Sequence, residues 1–442
     1  MRLSDISSAL TLPCPRDSAL TGLSIDSRQL KPGNVFVAIH GDSFDGHDFI
    51  QDAVSKGAAA VVCSHKVSDL GIPTLVVPDT IKALASIALA HRQQLSCKVI
   101  ALTGSNGKTT VKEMIASILP KPSYATPGNL NNHIGVPLSV LQLQQAHQYA
   151  VFELGANHLG EIAHIVAIVQ PHVTLINNIA PAHLEGFGSI EGVARAKGEI
   201  HQGLLPAGTA VINDDDAFAH YWDSSLTHKK QLRFSATHNA DVYAKDISLN
   251  HAGCGEFVLI TPEGETAIVL QVPGMHNVCN ALASASCTYA IGIGLSDIAT
   301  GLNHFRGVQG RMTFRQGKHD ALIIDDTYNA NLRSSLSAID VLANRKGRRI
   351  FVFGDMGELG MSSEAHHKEV GTEAYKQGID MLMTCGRHSE LTAKAYGANG
   401  KHYPSQEALV EELLHHLDAN TTVLVKGSRS SKMENIVAQL LE

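Results

Sequence analysis

Short apolar runs that alternate with amphipathic stretches recur along the whole chain, and they constrain its fold more than any other feature. Runs such as KVIAL, YAVFEL and VTLIN have the length of buried strands, and TTVKEMIASIL places apolar residues at helical spacing. Alternation of this kind is typical of βαβ units, which build parallel sheets covered by helices. We therefore predict an α/β fold of doubly wound, mostly parallel sheets with helices on both faces.

The length of 442 residues exceeds what one hydrophobic core supports, and we predict three domains. Residues 1–80 hold the short runs NVFVAI and AAAVVCS, which indicates a smaller α/β domain. Residues 81–311 form a predicted central domain with a mostly parallel sheet, in which EFVLITPEGETAIVLQV is typical of a β-hairpin. Residues 312–442 repeat strand and helix from ALIIDD onwards, which predicts a Rossmann-like C-terminal domain.

Composition excludes several function classes. The formal net charge of -7 gives no support for a nucleic-acid or membrane-surface partner. The seven cysteines are scattered without a C-x-x-C pair, so neither a zinc site nor a disulfide framework is indicated. No apolar run is long enough to span a bilayer, and the first residues do not resemble a secretory leader. We expect a cytoplasmic protein.

The stretch TGSNGKTT, from Thr103 to Thr110, resembles a phosphate-binding loop but has Leu102 where the usual pattern has its first glycine. It connects the predicted strand KVIAL to a predicted helix. At such a turn, backbone N–H groups and the helix N-terminus favour a phosphate, Lys108 can neutralise it, and the Thr109 hydroxyl can hold Mg²⁺. We predict phosphate binding in preference to the alternative, a glycine turn followed by a surface lysine.

Two further residues follow neighbouring predicted strands. Glu153 ends one apolar run and His183 lies just beyond another, so both should reach the sheet edge that carries the loop. A buried carboxylate such as Glu153 is costly unless it is paired or bound to a metal. Because His183 should reach the same edge, both residues are candidate metal ligands. Each has a plain alternative: Glu153 as a structural carboxylate, and His183 as one loop histidine among 24.

Lys197 occupies an inward position on a predicted helix. In SIEGVARAKGEIHQGL it shares an apolar stripe with Val193 and Ile200. Lysines are rarely buried without a partner, and burial lowers the pKa so that the neutral, nucleophilic amine becomes available. The alternative is a lysine that reaches past the helix edge to solvent.

Seven motifs in a fixed order resemble the Mur ligases of peptidoglycan synthesis, and they extend over nearly the whole chain. They are TGSNGKTT, the Glu153 strand, AHLEGFGSIEGVARAKGEI, PGMHNVCNALAS, GRM, DDTYNAN and LVKGSRSSKME. In that family the short T-G-x-N-G-K-T loop is the normal form, so Leu102 is a family trait.

The resemblance implies ATP as the nucleotide and two Mg²⁺ ions as cofactors. Thr109 and Glu153 would hold one ion and His183 the second, while Lys197 matches a lysine that several members convert to a carbamate. Lys108, Glu153, His183 and Lys197 would be the catalytic residues. The residues expected around ATP are Thr103, Gly104, Ser105, Asn106, Gly107, Lys108, Thr109, Thr110, Asn277, Arg311 and Asp326.

Within the family, FGDMGELG, DDTYNAN and SIDSRQLKPGN are similar to the ligase that adds D-alanyl-D-alanine to UDP-N-acetylmuramoyl tripeptide through an acyl phosphate. His133 departs from the acidic residue expected there. The resemblance implies two small-molecule partners. We also expect a monomer, with no nucleic-acid and no membrane partner. Expected substrate contacts are Asp26, Ser27 and Arg28 for uridine diphosphate, Asn129 and Asn132 for the sugar-peptide, and Asn329, Lys426 and Arg429.

Other readings of the same residues stay open. Lys426 and Arg429 could form a solvated basic turn instead of a carboxylate or phosphate site. The chain could be another Mur-type ligase that adds a single amino acid. The phosphate loop and its metal ligands alone would also suit a P-loop phosphotransferase, and the loop by itself would suit a nucleotide-switched binding module.

Overall fold

The computed structural model describes residues 1–41, 44–181 and 184–441. The strands of these ranges form three sheets of four, nine and six strands, and helices pack against each of them. We call the sheets with their helices the N-terminal, middle and C-terminal units. No helix within the described ranges is long and apolar enough to cross a membrane.

The N-terminal unit is a small parallel sheet in the order β1-β2-β3-β4. Its strands are almost wholly apolar where they are covered by helices, as parallel strands must be. The strands are β1 (Gly22–Ser24), β2 (Asn34–Val37), β3 (Ala60–Cys63) and β4 (Thr74–Val76), and the helices are α1 (Leu3–Ala9), a 3-10 turn (Gly46–Phe49) and α2 (Ile50–Ser55).

Helix α3 (Thr80–Gln93) lies between the N-terminal and middle units. Its N-terminus is capped by Asp79, whose carboxylate accepts from the backbone N–H groups of Ile81 and Lys82, both at 3.0 Å. Leu84 packs into the N-terminal core and Ala88 into the middle core. Because the two faces of α3 serve different cores, the helix fixes these two units against each other.

The middle unit has nine strands in the order β13-β12-β11-β10-β9-β8-β5-β7-β6, parallel from β6 to β11. The predicted hairpin is confirmed, since β12 and β13 pair antiparallel at one edge. The strands are β5 (Lys98–Thr103), β6 (Ser123–Ala125), β7 (Tyr149–Glu153), β8 (Val173–Ile176), β9 (Thr209–Asn213), β10 (Lys230–Ser235), β11 (Val242–Leu249), β12 (Cys254–Thr261) and β13 (Gly264–Pro273).

Helices cover both faces of this sheet, and each face has its own apolar core. With α3, the helices α5, α6 and α8 pack on one face, whereas α4, α9 and α10 pack on the other. The helices are α4 (Lys108–Ile118), α5 (Gly135–Val140), α6 (Glu161–Val169), α7 (Leu184–Phe187), α8 (Ile190–Gly198), α9 (Met275–Ala290) and α10 (Leu295–His304), with 3-10 turns at Glu199–Gly203 and Asp223–Ser225.

The C-terminal unit is a second doubly wound sheet in the order β14-β15-β19-β16-β17-β18, in which β14 alone is antiparallel. Its strands are β14 (Thr313–Gln316), β15 (Leu322–Asp326), β16 (Arg348–Phe353), β17 (Met381–Cys385), β18 (Gly400–Tyr403) and β19 (Thr421–Lys426). Its helices are α11 (Leu332–Ala343), α12 (Ser363–Lys376), α13 (Ser389–Tyr396), α14 (Gln406–Leu414) and α15 (Glu434–Leu441), with 3-10 turns at Lys318–Asp320, Gly360–Ser362 and Arg429–Ser431. The predicted α/β fold is confirmed.

Candidate active site

The phosphate loop lies between β5 and α4 at the carboxyl edge of the middle sheet. Gly107 is the residue before the helix and has a left-handed φ of 78°. A Cβ on Gly107 would lie 2.5 Å from Asn280 Oδ1 and 2.6 Å from Asn177 Nδ2. Both the backbone conformation and the close approach therefore require glycine here.

Amide side chains hold the loop in place. The backbone N–H of Asn106 donates to Asn178 Oδ1 at 2.9 Å, and Asn177 Nδ2 and Asn178 Nδ2 donate to the Asn106 carbonyl at 2.9 and 3.0 Å. Ser105 Oγ adds a hydrogen bond to the Ala180 carbonyl at 2.9 Å. The loop is thus fixed by hydrogen bonds to the segment that follows β8.

Lys108 is the first residue of α4, and its ammonium turns back over the loop. Nζ donates to the Gly104 carbonyl at 2.8 Å. Burial, together with the charge of Arg311, lowers the pKa of Lys108, while the Glu153 carboxylate opposes that shift. A phosphate at the helix N-terminus would supply the negative charge that this lysine lacks.

Glu153 and Thr109 meet directly. Glu153 is 3% exposed, and its carboxylate accepts from Thr109 Oγ1 at 2.8 Å and from Asn131 Nδ2 at 2.9 Å. Arg311 Nη2 donates to the same Thr109 hydroxyl at 2.8 Å. Mg²⁺ prefers oxygen ligands and keeps several waters, so a carboxylate and a hydroxyl in contact suit it. Within the described ranges, no three His, Cys, Asp or Glu side chains form a metal-binding group.

Lys197 is buried on α8, with 2% of its surface exposed, and it lines the same cavity as the loop. Its ammonium lies 5.9 Å from the centre of the Phe187 ring. Burial, reinforced by the charge of Lys108, holds the pKa of Lys197 well below its usual range. Burial agrees with the inward position predicted for it and not with a lysine that reaches solvent. His183, the other predicted ligand here, lies outside the described residues.

A cavity of about 850 Å³ opens between the middle and C-terminal units. Glu153 and Lys197 line it, as do Asn132, Asn329, Lys426 and Arg429 among the predicted substrate contacts. The cavity lining does not include Thr103, Gly104 or Thr109, and Thr103 is fully buried. Of the predicted nucleotide contacts, Ser105, Asn106, Gly107, Lys108, Thr110, Asn277, Arg311 and Asp326 line the cavity.

Asn277 begins a chain of amides that sequence reasoning missed in part. Its Nδ2 donates to the Pro273 carbonyl at 2.7 Å, and its Oδ1 accepts from Asn280 Nδ2 at 3.0 Å. Asn280 in turn accepts from Asn177 at 3.0 Å. Asn280 lies three residues after Asn277 on α9, so the same helix face was the available signal. Asn177, which directly follows β8, was marked by its place at a strand end.

The C-terminal unit contributes an ion pair and an aromatic ring. The Lys426 ammonium is buried and donates to the Asp326 carboxylate and, at 3.0 Å, to the Asn329 carbonyl. Arg429 is exposed and pairs with Glu434 at 3.0 Å. Asp326 therefore neutralises Lys426, whereas Arg429, although paired with Glu434, is the more exposed of the two cations.

Two arginines lie close to the Tyr328 ring. The Arg311 guanidinium is 4.1 Å from the ring centre and that of Arg429 is 5.9 Å from it. The Tyr328 backbone N–H donates to the Gly310 carbonyl at 3.0 Å. These contacts attach the strand-end segment of the C-terminal unit to the linker that carries Arg311.

The predicted uridine-diphosphate residues lie apart from this cavity, in the N-terminal unit after β1. Asp26 and Arg28 form a bidentate pair with two contacts of 2.9 Å, which lowers the pKa of Asp26, and Ser27 is buried. Asn132 lies just before α5, and its Oδ1 accepts from the Gly135 N–H at 2.8 Å. Asn129 is exposed and is not among the residues that line the cavity, whereas Asn131 lines it.

Comparisons with known proteins agree with these observations. Sequence profiles match three segments: "Mur ligase family, catalytic domain" at 19–92, "Mur ligase middle domain" at 102–288 and "Mur ligase, glutamate ligase domain" at 310–429. A relative from Escherichia coli, UDP-N-acetylmuramoyl-tripeptide--D-alanyl-D-alanine ligase, is 44% identical over 96% of this chain and 95% of its own length.

Solved structures are also similar to the whole chain. A crystal structure of MurF from Acinetobacter baumannii is 37% identical, with a TM-score of 0.92 over 99% of this chain and 98% of that one. MurF ligase from Thermotoga maritima in complex with ADP is 28% identical, with a TM-score of 0.82 over 95% and 96% of the two chains. The protein therefore belongs to the Mur ligase family.

Proposed function

We propose that this chain is an ATP-dependent ligase that joins D-alanyl-D-alanine to UDP-N-acetylmuramoyl tripeptide during peptidoglycan precursor synthesis. The observation that carries the proposal is the cavity in which Lys108 and Glu153 of the middle unit face Arg429 and Tyr328 of the C-terminal unit. Ligases of that name are 44% and 42% identical to the chain over almost its full length. The similarity extends over all three units of the chain.

The reaction begins with activation of a carboxylate, because a carboxylate is a poor acyl donor towards an amine. The terminal carboxylate of the tripeptide attacks the γ-phosphorus of ATP, the bond to the β-phosphate oxygen breaks, and ADP leaves an acyl phosphate behind. Lys108 and Arg311 stand where they offset the repulsion between these anions, and the N-terminus of α4 adds its dipole. The amine of the dipeptide then attacks the acyl carbon, and inorganic phosphate leaves with its bonding electron pair.

Thr109 and Glu153 would hold a Mg²⁺ ion, which supplies charge neutralisation at the transferring phosphate. A second ion would involve His183 and a carbamate on Lys197. Formation of that carbamate needs a neutral amine: the amine adds to CO₂ and releases one proton. The lowered pKa of Lys197 and its burial beside a cavity favour this chemistry.

Further assignments extend the same proposal. Asp26, Ser27 and Arg28 are placed at the uridine diphosphate, and Arg429 at the carboxylate of the dipeptide. We infer a cytoplasmic location, which agrees with seven cysteines that are all free. We also infer a monomer.

The first test is phosphate release from ATP in the presence of UDP-N-acetylmuramoyl tripeptide, with D-alanyl-D-alanine compared with single amino acids as the amine. Release that needs the dipeptide supports the proposal. Release with a single amino acid would assign another ligase step. ATP consumption without any amine would indicate a phosphotransferase, and binding without consumption a nucleotide-switched module.

A further inference from the structure

Two asparagine side chains from different units meet in the cavity. Asn331, the N-cap of α11 in the C-terminal unit, donates from Nδ2 to Oδ1 of Asn106 in the phosphate loop at 2.7 Å. Both residues line the cavity. The contact therefore joins the C-terminal unit directly to the loop that receives the nucleotide.

The other edge of the Asn106 amide has no such partner. Asn106 Nδ2 is buried, and no hydrogen-bond acceptor among the described residues reaches it. A buried donor left in this state is costly, so an acceptor at that position would bind favourably. In a phosphate loop, an anionic oxygen of the nucleotide is an acceptor of the right chemistry.

The two edges of one amide cannot be set independently. An acceptor that takes the Nδ2 hydrogen fixes Oδ1 towards Asn331, where it receives the hydrogen bond from that side chain. Rotation of the Asn106 amide by half a turn would instead bring Nδ2 against Asn331 Nδ2, two donors facing each other. Occupation of the loop therefore favours the amide orientation that binds the C-terminal unit.

We propose, on the basis of the proposed function, that Asn106 and Asn331 are positioning residues that couple nucleotide occupancy to attachment of the C-terminal unit, and through it to binding of the amine substrate. Coupling of this kind is reciprocal: the nucleotide strengthens binding of the dipeptide by the same factor as the dipeptide strengthens binding of the nucleotide.

The substitution Asn331→Ser tests the coupling while it keeps the capping of α11, which is the structural role of Asn331. Asn331 Oδ1 also caps α11 by accepting from the Ser334 N–H at 3.0 Å, and serine is an equally good N-cap but too short to reach Asn106. The matched control is Asn344→Ser at the opposite end of α11, where Asn344 Nδ2 donates to the Asp340 carbonyl at 2.8 Å.

The experiment is calorimetric titration of the full-length protein with β,γ-methylene-ATP and Mg²⁺, with UDP-N-acetylmuramoyl tripeptide present, with and without D-alanyl-D-alanine. In the wild type and in Asn344→Ser, the dipeptide should strengthen nucleotide binding by about fivefold or more. Asn331→Ser should keep its melting temperature and lose this increase, and Asn106→Ala added to it should cause no further loss of coupling. Three results would overturn the proposal. The dipeptide could fail to strengthen nucleotide binding in the wild type, or it could still strengthen it in Asn331→Ser. The Asn106→Ala change could also reduce the coupling further when it is added to Asn331→Ser.

Failure of the coupling and failure of the ligase proposal give different results. If wild-type protein releases phosphate only with the dipeptide and Asn331→Ser keeps the full coupling, the proposed role of Asn106 and Asn331 alone is wrong. If wild-type protein shows no amine-dependent phosphate release, the ligase reaction itself is wrong.

Discussion

Thr109 Oγ1 donates to the Glu153 carboxylate at 2.8 Å and accepts from Arg311 Nη2 at the same distance. One hydroxyl therefore joins the phosphate loop, the next strand of the sheet and the linker to the C-terminal unit. Because Mg²⁺ bound to this hydroxyl would compete with these protein partners, the site is expected to rearrange when the nucleotide arrives.

Glu153→Gln should lower the rate of phosphate release by about 10²–10³-fold, because the amide keeps the shape of the side chain but not the charge that a divalent cation needs. The measurement is kcat at saturating ATP as Mg²⁺ is varied. Glu390→Gln, in an exposed pair with Lys394 on α13, is the matched control and should leave kcat unchanged. Normal kcat in Glu153→Gln would remove Glu153 from the metal site.

Lys197→Ala should abolish the chemical step while ATP still binds. If the amine acts as a carbamate, acetate added in the assay should restore part of the activity by supplying a carboxylate in the vacated space. In the wild type, activity should fall as pH drops through the lowered pKa of Lys197, because the protonated amine cannot react with CO₂. Full activity of Lys197→Ala without any added acid would exclude the carbamate.

Gly107→Ala should weaken ATP binding and destabilise the protein more than a change of backbone preference alone. The new methyl group would lie only 2.5 Å from Asn280 Oδ1, which is a steric clash. The left-handed φ would separately cost alanine about 1–3 kcal/mol of stability. Gly71→Ala controls for the second effect, since Gly71 has a φ of 68° with no atom within 4 Å of the added Cβ. Equal losses of stability in the two variants, measured by urea unfolding, would contradict the steric argument.

Lys426→Met should destabilise the C-terminal unit by about 3–5 kcal/mol, because the Asp326 carboxylate would stay buried without its counter-charge. Lys394→Met breaks a pair of 2.7 Å that is exposed to solvent, and should cost about 1 kcal/mol or less. The comparison is made by denaturant unfolding of both variants. A small cost for Lys426→Met would mean that Asp326 finds another partner.

His201 should make the protein acid-sensitive. Burial lowers the pKa of His201 to about 4, whereas an unfolded histidine titrates near about 6.5. Between these values the unfolded chain binds more protons than the folded one, so the free energy of unfolding falls as pH falls. From pH 7.5 to pH 5 the loss is about 2 kcal/mol.

His201→Gln should remove most of that acid-dependent loss, and His228→Gln, at an exposed position, should leave it intact. The measurement is the urea midpoint at each pH for the three proteins. The same loss in His201→Gln as in the wild type would assign the acid sensitivity to other groups.

Local patterns in the sequence predicted the sheets and the strand-end residues, since a buried strand, a glycine turn and a helix face are all readable within about a dozen residues. Glu153 and the phosphate loop were found in this way. The hairpin at one edge of the middle sheet was found by its alternation and turn.

Contacts between distant segments could not be read in the same way. Asn131 and Asn178 lie on loops, with no periodic signal that marks an amide as functional. The role of Lys426 was similarly hidden, because its partner Asp326 is 100 residues earlier and a lysine at a strand end usually faces solvent. Sequence order alone does not show which strand ends become neighbours.

The phosphate loop is held in shape by asparagines, and amides neither titrate nor carry a net charge. Its geometry should therefore stay constant across pH and ionic strength, while the few groups that do respond, such as Lys108 and Lys197, remain available to the substrates. In this arrangement the asparagines that hold the loop add no net charge, and the field that an incoming anion experiences comes from the N-terminus of α4 and from charged groups such as Lys108.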